Sequence, residues 1–167
     1  MSFAEINIVE DIEMVWWEAY ETYPNPSNLE GGGEKIIGIL DAATIRRLLE
    51  KLMAKAVKYG SKDSPITVKI KEEGEEVFLS VHNQGSYISH EQKDKIFQFL
   101  NRSHKNTEEG LKSWGIGLTF VKMAAEAHGG HVELKSDQEK QETSFIVLLR
   151  KLANPPGKKR VKLNYAV

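Results

Sequence analysis

The chain has 167 residues, 40% of them hydrophobic and 28% charged, with a formal net charge of −1. Those values are ordinary for a globular domain with a core of its own, and the charge balance speaks against a generic nucleic-acid binder, which is usually strongly basic. The lack of cysteine excludes disulfides, thiol catalysis and cysteine-ligated metals.

No apolar run approaches the roughly 20 residues that span a bilayer, and the first residues do not resemble a signal peptide. A cytoplasmic protein, or a piece of a larger one, is the expectation. An acidic amphipathic stretch over 9–21 places Ile12, Val15, Trp16 and Ala19 on one helical face. Pro24 to Asn28 and Gly31 to Gly33 bracket a predicted loop, and Lys35 to Leu40 reads as a short buried strand. The strongest helical pattern covers 42–59. Asp41 suits its N-cap, Ile45, Leu48, Leu49, Leu52, Ala56 and Tyr59 recur at helical spacing, and Gly60 and Pro65 end it.

Two alternating strands follow, Ile66-Val68-Ile70 and Val77-Leu79-Val81, joined through Glu72, Glu73 and Gly74. A short helix is expected over 91–100. Residues 101–113 are polar and without period, and are expected to be a mobile loop. Gly115 opens a helix over 115–127, closed by Gly129-Gly130. Two last strands are expected at Val132–Leu134 and Phe145–Leu149. The sum is an α+β domain over 1–152: a two-layer sandwich, its mixed, mostly antiparallel sheet covered on one face by three helices. The remaining residues, 153–167, form a basic tail. Its Lys158-Lys159-Arg160 reads as a solvated end or as a nuclear or nucleic-acid address.

Trp114-Gly115-Ile116-Gly117-Leu118 places two glycines just before an amphipathic helix. Such a pair serves close packing, or lets backbone N–H groups approach a phosphate at the positive helix end. Its context is a second glycine element, Val81-His82-Asn83-Gln84-Gly85, and the long helix ending Lys55-Ala56-Val57-Lys58-Tyr59-Gly60. Lys95 to Leu100, Ala127-His128-Gly129-Gly130 and Thr143-Ser144-Phe145 complete it. In this order, over roughly 35–150, these elements resemble the catalytic ATP-binding domain of sensor histidine kinases. That family shares a superfamily, with the Bergerat-type fold, with DNA gyrase, heat-shock chaperone and mismatch-repair ATPases.

The resemblance implies ATP or ADP as ligand and a role for each matching position. Asn83 stands where an Asp bonds the adenine amino group, and its carbonyl can still accept that bond. Gly85 would allow close approach. Tyr59 would lie against the base, and Lys58 would reach the phosphates. Thr143 would bond the adenine edge. Arg102 and Lys105 of the lid, with the N–H groups of Gly115, Gly117 and Leu118, would meet the phosphate tail.

The family's long helix carries two polar positions four residues apart, the second an Asn that ligates Mg²⁺. Lys51 and Lys55 stand there, and with Lys58 they share one helix face. Read without the family, that face is simply solvated. Read with it, Lys55 points into the nucleotide site, and an ammonium group has no lone pair for a metal. Tyr87, Glu142 and Arg150 depart from the pattern as well, at a Gly, a Gly and a Pro.

The resemblance also implies a phosphoacceptor His on a preceding helix, which is not expected within these residues: none of the five histidines lies on a suitable helix, and too few residues precede the core to form a helical hairpin. His128 and His131 read as structural. Three functions remain open. The first is a regulatory or docking module that binds nucleotide with impaired Mg-ATP turnover. The second is a working kinase domain acting on a separate or removed dimerisation domain. The third is a nucleotide-free interaction adaptor. A stand-alone anti-sigma-factor kinase fits less well because of His128-Gly129-Gly130. The expected partner is a protein, either a dimerisation and phosphoacceptor domain or a response regulator.

Overall fold

The computed structural model describes residues 1–61, 63–85, 88–101 and 115–152. The elements run β1 (Ala4–Asn7), α1 (Ile8–Thr22), β2 (Ser27–Glu30), β3 (Ile37–Leu40), α2 (Ala42–Tyr59), β4 (Ile66–Glu73), β5 (Glu76–Gln84), α3 (His90–Asn101), α4 (Gly115–Ala127), β6 (His131–Asp137) and β7 (Glu142–Arg150). Five strands form one sheet in the order β2-β4-β5-β7-β6. Its pairings are antiparallel except for β2 with β4. This is the expected α+β sandwich with a mixed sheet. Among the described residues no helix is long and apolar enough to cross a membrane.

Strand alternation fixes which face is covered. Val68 of β4 lies opposite Val81, which lies opposite Phe145, and Ile70, Leu79 and Val147 form the next row. All six are buried, while Lys69 between the two β4 residues and Lys71 just beyond them are exposed. A helical layer covers the apolar rows. In it α2 packs between α1 and α4; α1 lies over β2, α2 over β4 and β5, and α4 over β7 and β6. The α2 stripe Ile45, Leu48, Leu49, Leu52, Met53 and Ala56 is buried at helical spacing, which is what holds α2 on the sheet.

Two expectations need correction. Ser27–Glu30, read as loop, is a short edge strand parallel to β4, with Leu29 as its only large apolar residue. Lys35 to Leu40, read as a short buried strand, is a strand over Ile37–Leu40 only, with Ile37 exposed, and it pairs antiparallel with β1 in a separate two-stranded sheet. That small sheet lies at the start of α1: the Ile8 N–H donates to the Ile36 carbonyl, and Asn7 caps α1 by accepting from the Val9 N–H.

The N-terminus of α2 is held from several directions. Asp41 accepts from the Thr44 N–H at 3.0 Å and from the Ser2 N–H at 2.6 Å. Burial alone would raise its carboxyl pKa, but these hydrogen bonds outweigh burial and hold it below the usual value. His128, fully buried at the end of α4, accepts from the Asp41 N–H through Nε2 at 3.1 Å. Its Nδ1–H donates to the Ala124 carbonyl at 2.8 Å. The Phe3 ring lies 5.2 Å from the imidazole. His128 is therefore structural, as its position at a helix end suggested. Gly129 (φ +74°) turns the chain beneath the stem of Arg150, and Gly130 leaves no room for a side chain against the Leu148 carbonyl.

Candidate functional site

The inward parity that gives β5 its apolar row continues to Asn83, and that of β7 continues to Thr143. These two residues are directly opposite each other, and Ser136 of β6 is opposite Thr143. The apolar rows of the sheet thus give way to a row of Asn83, Thr143 and Ser136 beneath the helical layer. Asn83 and Thr143 are only 6% and 4% exposed. Side chains buried at this level need partners. Ser136 Oγ lies 3.3 Å from Thr143 Oγ1 and accepts from the Ile88 N–H at 2.9 Å.

The end of α2 stands over one side of this row. Gly60 has φ −86°, so its requirement is space and not an unusual backbone: a Cβ there would come 2.6 Å from the Ala56 carbonyl oxygen and 3.0 Å from Asn83 Nδ2. Gly85 is different. Its φ of +90° lies in the left-handed region, and a Cβ would collide with the Cβ of Ser61. The Gly85 N–H donates to the Gln141 carbonyl, and Ser61 bonds the Gln84 carbonyl, so the α2–β4 turn and the end of β5 are tied together.

The Lys51, Lys55, Lys58 face of α2 divides in two. A Cβ on Gly117 would lie 3.5 Å from Lys55 Cε and 3.6 Å from Lys51 Cδ, so the stems of both lysines pass against the first turns of α4. Lys58 is exposed, with its ammonium 5.3 Å from the Tyr59 ring centroid; that of Lys55 is 5.8 Å away. Such distances are within cation–π range. The Lys55 pKa is lowered, first by burial and then by the nearby charges of Lys58 and Lys51. The three cations therefore crowd one another at the C-terminal half of α2.

Of the residues singled out in the sequence, Lys55, Tyr59, Asn83, Gly85, Gly117 and Thr143 gather around the end of α2 and the adjoining sheet rows. Leu118 is 1% exposed, and its side chain belongs to the core. Gly115 begins α4. Arg102, Lys105, Tyr87 and the expected mobile lid lie outside the described residues. Glu142 faces His82, with Oε1 3.6 Å from Nε2.

Two residues escaped sequence reasoning. Asn25 is buried, and its Nδ2 donates to the carbonyls of Ser61 and Ser64 at 3.0 and 3.1 Å, clamping the turn that abuts Gly85. Its one signal was an Asn held between Pro24 and Pro26. Ser136 emerges only from the β6–β7 register, as the residue opposite Thr143.

Residues 40–153 match the family described as histidine kinase-, DNA gyrase B-, and HSP90-like ATPase. Among curated proteins, the chain is 31% identical to the probable sensor kinase SilS of Salmonella typhimurium over 67% of its own length and 22% of SilS. It is 29% identical to histidine kinase P4 of Formosa agariphila over 87% of its length and 11% of that protein. It is 28% identical to sensor histidine kinase WalK of Bacillus subtilis over 65% of its length and 18% of WalK. The chain thus spans less than a quarter of each of these relatives. The nucleotide-free catalytic domain of histidine kinase ThkA superposes with a TM-score of 0.72 at 23% identity, covering 92% of this chain and 98% of that one. ThkA has also been solved in complex with the response regulator TrrA; that chain superposes at 0.69 with 22% identity, over 92% of this chain and 43% of that one. At such identities the likeness to solved structures establishes the fold.

Proposed function

Because the chain belongs to the histidine kinase-, DNA gyrase B-, and HSP90-like ATPase family and has the fold of a sensor histidine kinase catalytic domain, we propose that it binds ATP or ADP with lysines in place of the metal. The supporting observation is the packing of Lys51 and Lys55 against Gly117. It runs the stems of two cationic side chains past the first turn of α4, the helix end where N–H groups are suited to phosphate.

In this reading the Asn83 carbonyl accepts from the adenine amino group and Thr143 bonds the ring edge. Tyr59 flanks the base, and Gly85 lets it approach the backbone. The N–H groups of Gly115, Gly117 and Leu118 meet the phosphates together with Lys55, Lys58 and Arg102.

Lys51 and Lys55 do not fit Mg²⁺. A protonated amine has no lone pair to donate. A unit charge about 4 Å from another costs about 4 kcal/mol at an effective dielectric near 20, and a divalent ion about twice that. Metal-bridged phosphoryl transfer is accordingly impaired. The domain acts in a two-component signalling protein as a cytoplasmic regulatory or docking module. Its partner is a dimerisation and phosphoacceptor domain or a response regulator.

Titration calorimetry with ATP and with ADP, in Mg²⁺ and in EDTA, tests this. The expected result is binding that EDTA leaves unchanged or strengthens. Binding only in the presence of Mg²⁺, or steady hydrolysis of Mg-ATP, would show that a metal site exists despite the lysines. No binding under any condition would leave the fold as an interaction adaptor.

A further inference from the structure

The 15 residues of α1 include five acids, Glu10, Asp11, Glu13, Glu18 and Glu21, and no base. Two of the five are engaged: Asp11 pairs with Arg46 of α2 at 3.4 Å, and Glu13 accepts from the Gly33 N–H at 3.0 Å. Glu10, Glu18 and Glu21 are exposed, as is Glu50 of α2. Among the described residues none of these four forms an ion pair. Glu21 lies in the last turn of α1, the negative end of the helix, with no base there to offset it.

A groove of about 120 Å³ runs between α1 and α2 beside these acids. Val15, Ala19 and Met53 give it an apolar floor, and Glu18 and Glu50 stand on its two sides. A lysine or arginine fits such a groove, with its stem on the floor and its charge at the rim. On the outer side of α1, Met14, Trp17 and Tyr20 are about half exposed, the last two stacked ring on ring.

The charge of the chain points to the occupant. Residues 1–152 hold 19 basic and 24 acidic side chains. The tail beyond them, outside the described residues, holds Lys158, Lys159, Arg160 and Lys162 and no acid. Its apolar Val161, Leu163 and Tyr165 alternate with Arg160, Lys162 and Asn164. The tail also starts in reach. Leu152 bridges Ile39 in parallel, and the Lys151 carbonyl accepts from the Ile39 N–H, so the chain runs beside β3 toward the start of α2. The nine residues from Asp41 to Glu50 advance about 13 Å along that helix. The six from Leu152 to Lys158 span up to about 20 Å when extended.

We infer that residues 158–163 dock on the acidic α1–α2 face of their own chain, the stem of one basic side chain in the groove and its charge between Glu18 and Glu50. The charges involved are exposed, so the contact is weak and salt-sensitive, and it forms because the tether keeps the tail's local concentration high. While docked, the tail denies this face to any other basic segment.

The chain has no cysteine, so Asn164→Cys offers a single attachment point for a nitroxide label. In the isotope-labelled full chain at low salt, the label should broaden the NMR signals of backbone amides in 14–22 of α1 and 49–54 of α2. Glu18→Lys with Glu50→Lys should abolish that broadening, as should about 1 M salt, where the screening length is about 3 Å. The same charge change elsewhere, Glu91→Lys with Glu139→Lys, should leave it intact. The amide shifts of each variant report that it folds. Four results overturn the inference. One is no broadening of α1 in the labelled chain, which leaves the face to a partner's basic segment. A second is broadening that survives reversal of Glu18 and Glu50. A third is equal loss in the control variant, which makes the attraction general. The fourth is equal broadening when nitroxide and isotope sit on separate chains, which assigns the tail to a second copy.

Discussion

Lowering the pH through the range in which free histidine titrates should destabilise this protein through His128. The ring is fully buried and uses both nitrogens, one donating to Ala124 and one accepting from Asp41. Only one neutral tautomer does both. A proton on Nε2 would face the Asp41 N–H donor directly. Burial lowers the pKa, and neither the Ala124 hydrogen bond nor the Asp41 charge offsets it. The folded pKa therefore lies below the unfolded value of about 6.5, and the unfolded chain takes up the proton first. Stability from this group is complete above about pH 6.5 and falls as the pH drops. The loss is about 1.4 kcal/mol for each pH unit over which the folded ring stays neutral. That is a large share of a typical domain stability of about 5–15 kcal/mol. Urea unfolding followed by tryptophan fluorescence between about pH 8 and pH 5 measures it. His128→Ala removes the slope at the cost of about 3 kcal/mol or more, since a cavity and two unpaired backbone groups remain. His128→Gln supplies a donor and an acceptor without titrating, and should lose the slope with less damage. The other histidines cancel in the difference between proteins. If stability is flat across that range, or both variants keep the full slope, the buried neutral imidazole is the wrong account.

Asp41→Ala removes the α2 cap and should cost about 1 kcal/mol by thermal or urea unfolding. Because the Asp41 pKa is lowered, its contribution in the unaltered protein is present above about pH 3.9 and fades as the pH falls through the folded value. Asn25→Ala leaves the Ser61 and Ser64 carbonyls without their buried donor; about 1–3 kcal/mol of stability should go, with weaker nucleotide binding in calorimetry. Gly85→Ala forces a side chain into a left-handed conformation against Ser61, and should cost about 1–3 kcal/mol and abolish nucleotide binding. Lys55→Asn should make nucleotide affinity depend on Mg²⁺, without restoring full turnover while Lys51 remains.

The helices were legible because their apolar spacing is long and regular. The stripe from Ile45 to Ala56 repeats often enough to outweigh any local ambiguity. The strands at 66–73 and 76–84 were legible because alternation and the Gly74 turn agree. Short elements were not. Ser27–Glu30 has no period to detect, and it becomes a strand only because β4 offers it an open edge. Ile37–Leu40 reads correctly as a strand, but four residues carry no information on which partner they choose. The candidate site divides in the same way. Asn83 and Thr143 are singled out by the family resemblance, and both continue the inward parity of β5 and β7. The roles of Asn25 and Ser136 depend on cross-chain neighbours that no local pattern encodes.

The hydrogen bonds around Asp41 fix the near end of α2, and the lysine face occupies its other half. Eighteen helical residues at 1.5 Å each make a rod of about 27 Å, with little bend expected in a helix free of proline. The far end of that rod, at Tyr59, moves further than its anchor for any small tilt about the anchor. The Ser2 N–H and the Phe3 ring belong to the anchor. The buried stripe from Ile45 to Ala56 keeps that rod on the sheet, so a shift of the first few residues of the chain would be felt at the Lys55 stem beside α4 only as a movement of the whole helix.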